Sequence, residues 1–234
     1  MADALSTRQQ IVVAVRTLAA EGYDDKLAGH VSVRDRDDGT LLVPRVGARW
    51  GEFTVDDVVR IDADATIVEG EGRLNPTIVF HLELHTARPD IVCAIHNHPP
   101  YGGIWACAGE LPPLHDQSGA IGGGRAGLYA EYGGVVNSRT TAADLAAAYG
   151  DVDMAILVGH GTLVTAGSVS LALLRAQCFE HRARKAWEVR AMGMPGVPFP
   201  EDHAERVAAS AQAYADTLLL VYARELQRVD PAAL

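Results

Sequence analysis

Residues 94–102 read AIHNHPPYG, an apolar stretch that continues into two histidines and two prolines. The preceding residues are rich in β-branched side chains, which predicts a strand that the prolines end. Side chains in a strand alternate between its two faces, so His96 and His98 are expected on the same face. Two imidazoles on one face are a ready pair of metal ligands.

His160 is the candidate third ligand, in the stretch VGHGTLVTAG at residues 158–167. Flanking glycines let the backbone turn and remove side chains that would crowd an approaching ion. Three neutral imidazoles leave a position open on a divalent metal, which is typical of a catalytic site. The His-x-His pair alone fits loop histidines equally well; the full set is more specific.

Helices and strands are interspersed along the chain, which predicts one α/β domain over residues 1–234. The predicted helices cover 6–22, 79–88, 140–149, 168–192 and 201–228. The predicted strands are GHVSVRD (29–35), TLLVPR (40–45), VVRID (58–62), IVCAIHNH (91–98) and the two halves of MAILVGHGTLVTAG (154–167).

The charge balance disfavours several classes of partner. The 234 residues carry a net charge of −10, and the basic residues do not cluster, so neither nucleic acid nor an anionic membrane is expected. No apolar run reaches the ~18–20 residues of a membrane span, and the N-terminus lacks a signal-peptide pattern. The three cysteines are scattered, so we expect a reducing, cytoplasmic protein without a disulfide framework.

These motifs resemble the class II aldolase/adducin family from about residue 8 to 192. HNHPPYG is similar to its HxHPP motif, GHVSVR to its GNxS motif, VGHGTLVTAG to its HG-x-x-x-x-G segment, and FTVDDVVRID to its T-x-x-D stretch. The resemblance implies an α/β/α sandwich around a mainly antiparallel sheet. It also implies a homotetramer with active sites at subunit contacts, and Zn²⁺ or Mn²⁺ bound by His96, His98 and His160.

The chain departs from the sugar-phosphate members of that family. The Asn of GNxS is His30 here, and the acidic residue of the family's PSSE segment falls at Thr77. The phosphate cradle and the acid/base carboxylate of the aldolases are therefore largely missing. The predicted substrate-binding residues are His30, Arg45, Arg49, Asn75 and Thr77. An arginine can hold a carboxylate by two parallel hydrogen bonds, although surface solvation or an ion pair explains either arginine as well.

These departures favour the branch of the family that decarboxylates hydroxylated aromatic or heteroaromatic carboxylic acids. Loss of CO₂ needs no base, and the metal would stabilise the resulting enolate or carbanion. The alternative is an aldolase or epimerase acting on a sugar or hydroxy acid. An adducin-type scaffold is a third reading, but a scaffold needs no open metal site.

A decarboxylase still needs an acid to protonate the carbon. The first candidate is His115, and the second is Tyr129 or Tyr132, because the resemblance implies a tyrosine from a neighbouring subunit. A loop histidine and interface tyrosines are the plainer interpretations. We expect His81 either to support the metal ligands without binding metal or to be structural, and His85 to lie on the surface.

Overall fold

One sheet of eight strands crosses the part of the chain that the computed structural model describes, residues 5–24, 26, 29–130, 136 and 138–234. The strands are β1 (His30–Arg34), β2 (Leu41–Pro44), β3 (Val58–Ile61), β4 (Ile67–Glu69), β5 (Cys93–Asn97), β6 (Ala126–Tyr129), β7 (Met154–Leu157) and β8 (Gly161–Ala166). Their order in the sheet is β4-β3-β2-β1-β5-β8-β7-β6. The β6–β7 pair is parallel and the other described pairs are antiparallel.

Helices cover both faces of this sheet. The helices are α1 (Thr7–Leu18), α2 (Ile78–Ala87), α3 (Pro100–Ala108), α4 (Gln117–Ala120), α5 (Arg139–Tyr149), α6 (Val169–Ala191), α7 (Glu201–Ala208) and α8 (Ala211–Val229). Helices α1, α3, α6 and α8 share a core with one face, and α2 and α5 pack on the other. The predicted α/β/α sandwich with a mainly antiparallel sheet is confirmed.

The central strand β5 divides its side chains between the two cores. Cys93 and Ile95 are buried in the core that contains α1 and α6, whereas Ala94 is buried in the core formed with α2 and α5. Alternation therefore places His96 on the α2 side of the sheet. The strand ends at Asn97, so His98 lies just beyond it rather than within it as predicted.

The structure corrects several predicted boundaries. The helix expected over 201–228 is interrupted after Ala208, giving α7 and α8. Helices α3 and α4 and strands β4 and β6 were not predicted, because each is short. Among the described residues, no helix is both long enough and apolar enough to cross a membrane.

Candidate metal centre

Three histidines from different parts of the chain meet at one point. Ligand nitrogens of His96, His98 and His160 all lie within 4.8 Å of one another. Their ring centroids are 5.3 Å apart for His96–His98, 4.6 Å for His96–His160 and 5.0 Å for His98–His160. The structure thus brings the three predicted ligands together, and a set of three imidazoles suits a divalent cation.

The orientation of His96 is fixed by a backbone group. Its Nδ1 lies 2.8 Å from the carbonyl oxygen of Thr162 on the neighbouring strand β8. A carbonyl only accepts hydrogen bonds, so Nδ1 carries the proton and Nε2 keeps its lone pair. An outer partner of this kind is typical of metal-binding histidines.

Burial keeps two of the imidazoles neutral. It lowers the pKa of His96 well below its usual value, and it lowers the pKa of His160 to about 4, with repulsion from His98 adding to the effect. A neutral imidazole has the lone pair that a metal needs. The chemistry of the donor set therefore fits a divalent cation.

The glycines around His160 have separate roles. Gly159 has a φ of +71°, which supports the turn between β7 and β8. At Gly161 a Cβ atom would lie 2.5 Å from the carbonyl oxygen of Asn97 and 2.6 Å from Cδ2 of His98. Glycine at position 161 therefore makes room for the neighbouring backbone of Asn97 and the ring of His98. The sequence had instead suggested that this glycine makes room for an ion.

A cavity of about 180 Å³ adjoins the three histidines. It combines apolar walls with a few polar groups, as small-molecule sites do. Its apolar walls are Phe80, Val136, Leu145 and Leu157, and its polar lining beyond the triad is His30, Asn75 and Thr77. Three of the predicted substrate-binding residues therefore border the same space.

His30, Thr77 and Asn75 form a hydrogen-bonded chain in this wall. His30 pairs with His96 across β1 and β5, which places the two rings side by side. The Thr77 hydroxyl donates to Asn75 Oδ1 at 2.9 Å, so it accepts from His30 Nε2 at 2.8 Å. Burial, followed by repulsion from His98 and His160, lowers the pKa of His30 to about 4. His30 is thus a neutral, oriented imidazole.

A second buried chain runs behind His30. His85 Nδ1 faces the carbonyl oxygen of Ile91 at 3.3 Å, so His85 Nε2 accepts from the Ser32 hydroxyl at 2.8 Å. Ser32 in turn accepts from His81 Nδ1 at 2.6 Å, which leaves His81 Nε2 as a bare acceptor. That atom is buried and has no hydrogen-bond partner in the described residues.

This arrangement bears on the two histidines of α2. His81 is buried, with its ring centroid 5.6 Å from that of His30, and is not among the residues that line the cavity. The prediction for His85 was wrong: its side chain is buried, because the helix turns this face toward Ser32 on β1.

The two predicted arginines already have acidic partners. Arg45 Nη2 lies 2.6 Å from Asp57 Oδ1, and Arg49 Nη2 lies 3.0 Å from Asp24 Oδ2. Arg45 lines a smaller cavity of about 30 Å³ that shares His30 and Asn75 with the first. Arg49 borders neither cavity and its side chain is 60% exposed.

Comparison with known proteins identifies the fold family. Residues 9–187 match the family model described as Class II Aldolase and Adducin N-terminal domain. The chain belongs to the class II aldolase and adducin family. The family is one of lyase-type enzymes that typically depend on a divalent metal, in agreement with the histidine triad.

Relatives of this chain include proteins named as decarboxylases and proteins named as aldolases. The chain is 33% identical over 198 residues to 3,4-dihydroxyphthalate decarboxylase of Arthrobacter keyseri, with 80% of this chain and 79% of that protein covered. It is 29% identical over 221 residues to 5-methylthioribulose-1-phosphate/5-deoxyribulose-1-phosphate aldolase of Rhodospirillum rubrum, with coverage of 92% and 96%.

Two further matches are to an adducin-related protein and to a solved aldolase. The chain is 30% identical over 183 residues, 73% of its length, to an adducin-related protein of Schizosaccharomyces pombe, but spans only 55% of that protein. L-fuculose 1-phosphate aldolase of Glaciozyma antarctica has the same fold, with a TM-score of 0.82 and 22% identity over 96% of this chain and 90% of that one.

Two of the predicted proton donors, His115 and Tyr129, are not among the residues that line the cavity. His115 Nδ1 donates to the carbonyl oxygen of Val197 at 2.9 Å, and His115 is not among the cavity-lining residues. Tyr129 ends β6 and packs against the core beneath α2 and α5. Tyr132 lies outside the described residues. Their roles in proton transfer stay predictions.

Proposed function

We propose that this enzyme is a metal-dependent decarboxylase of a hydroxylated aromatic or heteroaromatic carboxylic acid. The observation that carries the proposal is a triad of imidazoles beside an apolar cavity with no acidic residue in its described lining. Thr77, at the position of the aldolase acid/base carboxylate, has a hydroxyl bonded to His30 and Asn75. A reaction that begins by proton removal has no carboxylate base there, whereas loss of CO₂ needs none.

The apolar lining of the cavity suits an aromatic ring. Phe80, Leu145 and Leu157 provide apolar contacts, and His30 and Thr77 provide polar groups on one side. Apolar burial favours an aromatic ring over a hydroxyl-rich sugar, whose hydroxyls would lose water without enough partners. The relative named 3,4-dihydroxyphthalate decarboxylase supports the same substrate class.

The residues of this chain have separate parts in the proposed reaction. A cation held by His96, His98 and His160 would supply Lewis-acid stabilisation of negative charge on a substrate oxygen. We infer Zn²⁺ or Mn²⁺ from the family resemblance, and imidazole donors favour zinc. His30 donates its Nε2 proton to Thr77, so its Nδ1 is left to accept a hydrogen bond from a substrate hydroxyl beside the triad.

Arg45 is placed to bind a substrate carboxylate. It lines the smaller cavity, which shares His30 and Asn75 with the cavity beside the histidine triad, and it pairs with the buried carboxylate of Asp57. A guanidinium has five N–H donors, so the ion pair leaves donors for a second carboxylate. Arg49 is the weaker candidate, since it borders neither cavity.

The carbon that loses CO₂ keeps the electron pair of the broken bond and must receive a proton. We propose that this proton comes from another subunit of a cytoplasmic homotetramer, because Tyr129 and His115 do not line the cavity of their own chain. The candidate donors are Tyr129, Tyr132 and His115.

A second candidate function is aldol cleavage or epimerisation of a sugar or hydroxy acid. It is favoured by the aldolase of Rhodospirillum rubrum, which aligns over nearly its whole length. In that case a neutral His30 would replace the missing carboxylate as base.

Product analysis separates these functions. Zinc- or manganese-loaded protein is incubated with dihydroxybenzoates, hydroxyphthalates and sugar phosphates, and mass spectrometry follows CO₂ loss and aldehyde formation. We expect CO₂ from an aromatic acid, and none from the His96→Ala variant or from chelator-treated protein. Aldehyde from a sugar phosphate without CO₂ from any acid would overturn the proposal in favour of the second function.

A further inference from the structure

Helix α3 begins immediately after the metal-binding pair, and its first turn has no local cap. His98 is followed by Pro99 at the N-cap and Pro100 at the first helical position, and Pro99 makes no side-chain capping bond. Proline suits a helix start but provides no oxygen for the free N–H groups of the first turn. The amides of Tyr101 and Gly102 therefore need an acceptor from elsewhere.

Glu180, from the middle of α6, provides that acceptor. Its Oε1 accepts from the Tyr101 amide at 2.7 Å, and its Oε2 accepts from the Gly102 amide at 2.7 Å. A carboxylate that accepts two amides at a helix N-terminus gains from both charge-assisted hydrogen bonds and the helix dipole. The two oxygens thus clamp the first turn of α3 to α6.

The clamp uses a largely buried carboxyl group. Burial raises the pKa of Glu180 to about 7, although the two amides and the nearby Arg184 favour the charged form. Burying such a group disfavours its ionised form, so the carboxyl is a poor choice for stability alone. The position of Glu180 is better explained by the first turn of α3, which it holds in place.

The same turn also lies against β8, the strand that orients His96. A Cβ atom at Gly102 would lie 2.7 Å from Cγ2 of Thr162 and 2.9 Å from Cγ of Pro99. Thr162 fixes His96 through its carbonyl, and its hydroxyl donates to Asn97 Oδ1 at 3.0 Å. The turn after His98 is therefore held between α6 and β8.

We propose that Glu180 is a positioning residue of the metal centre, which holds the first turn of α3 so that His98 shares a cation with His96 and His160. The inference rests on the metal centre of the proposed function but is independent of the substrate. Glu180 does not itself bind metal or substrate.

The direct test is the Zn²⁺ affinity of metal-free Glu180→Gln protein, measured by competition with a chromophoric chelator. The amide nitrogen of glutamine faces a backbone N–H and cannot accept from it, so one of the two clamp bonds is lost. We expect affinity to fall about tenfold, the lower end of the range for groups bonded directly to a metal ligand, because Glu180 acts through the turn after His98. The Ser168→Ala variant removes the cap of α6, far from this turn in the chain, and should leave affinity unchanged.

Gly102→Ala is an independent test, because its Cβ pushes the same turn away from Thr162. Gly103→Ala is the matched control, since a Cβ there has nothing within 4 Å. We expect weaker zinc binding for Gly102→Ala alone. Should Glu180→Gln fail to fold, a zinc affinity of Gly102→Ala equal to that of wild type overturns the inference, because the position of this turn would then not matter to the metal centre.

The outcomes separate this inference from the metal centre itself. If wild-type protein binds Zn²⁺ and folded Glu180→Gln binds it equally well, even with a lowered melting temperature, Glu180 is only structural and the inference is overturned. If wild-type protein binds no Zn²⁺, the proposed metal centre fails first and the inference fails with it.

Discussion

His96 on β5 donates its Nδ1 proton to the carbonyl oxygen of Thr162 on β8, across 2.8 Å. The register of the two strands places Asn97 opposite Thr162, so the ring orientation follows from the pairing of the two central strands. His30 on β1 pairs with His96 on the other side. His96 is therefore held by central strands of the sheet, as accurate ligand placement requires.

Gly161→Ala should disrupt the metal centre. The added Cβ would meet the Asn97 carbonyl and the His98 ring, and a backbone oxygen cannot rotate away. We expect zinc affinity to fall at least tenfold and unfolding free energy to fall by about 1–3 kcal/mol, as for other overpacked sites. Chelator competition and urea unfolding measure both.

Gly167→Ala is the control, because a Cβ there has nothing within 4 Å. Equal zinc affinities of the two alanine variants would contradict the role assigned to Gly161.

Thr77→Val should impair turnover without removing metal. Valine keeps the shape but leaves His30 Nε2 and Asn75 Oδ1 without their shared partner. Leaving His30 Nε2 unpaired costs about 1–3 kcal/mol of folding stability. A His30 ring that is no longer oriented should also lower kcat/KM roughly tenfold or more. Steady-state kinetics with metal analysis provides the check, and Thr77→Ser should retain most activity. Wild-type kinetics in the valine variant would refute the orienting role of Thr77.

Arg45→Ala should raise KM for a carboxylate substrate while metal content stays the same. Charge-assisted hydrogen bonds contribute about 1.5–3 kcal/mol, which corresponds to at least a tenfold change in KM. The Asp57 side chain, which is only 7% exposed, would also lose its ion pair with Arg45, so we expect a lower unfolding free energy.

Arg49→Ala is the matched variant, because Arg49 also pairs with an aspartate but borders neither cavity. A KM that is the same in both variants would exclude Arg45 from carboxylate binding.

Glu180 should give a pH dependence to the stability of the metal-free protein. Burial raises its folded pKa from 4.5 to about 7, so between these pH values the folded chain holds a proton that the unfolded chain releases. The contribution of Glu180 to folding stability therefore decreases as pH rises from 4.5 to about 7, and it stays constant above about pH 7. Tyr23, whose pKa is raised well above its usual value, stays protonated throughout.

Urea unfolding of metal-free wild-type and Glu180→Gln protein at pH 5 and pH 8 measures this effect. The variant should gain stability relative to wild type at the higher pH. If the difference in unfolding free energy between wild type and variant is the same at both pH values, the pKa of Glu180 is not raised by burial and the prediction is wrong.

The sequence predicted the features that depend on local pattern. The metal ligands were visible because prolines and glycines surround them, and α2 and α6 because their apolar residues repeat over several turns. The interruption between α7 and α8 was missed, since the pattern alone continues through Ser210.

Pairings between distant residues could not be predicted in the same way. His115 bonds to Val197 and His85 to Ser32, contacts that only the folded chain brings together. Glu180 was also missed, although one signal existed: a helix that begins with Pro99-Pro100 after His98 has no local cap, so a distant acceptor was required.

The central claim is that His96, His98 and His160 bind one divalent cation, and zinc titration of metal-free protein tests it most directly. Wild-type protein should bind one Zn²⁺ per chain, and alanine at any one of the three positions should abolish tight binding while circular dichroism shows an intact fold. Undiminished binding in all three folded alanine variants, or no saturable binding by wild-type protein, would contradict the account.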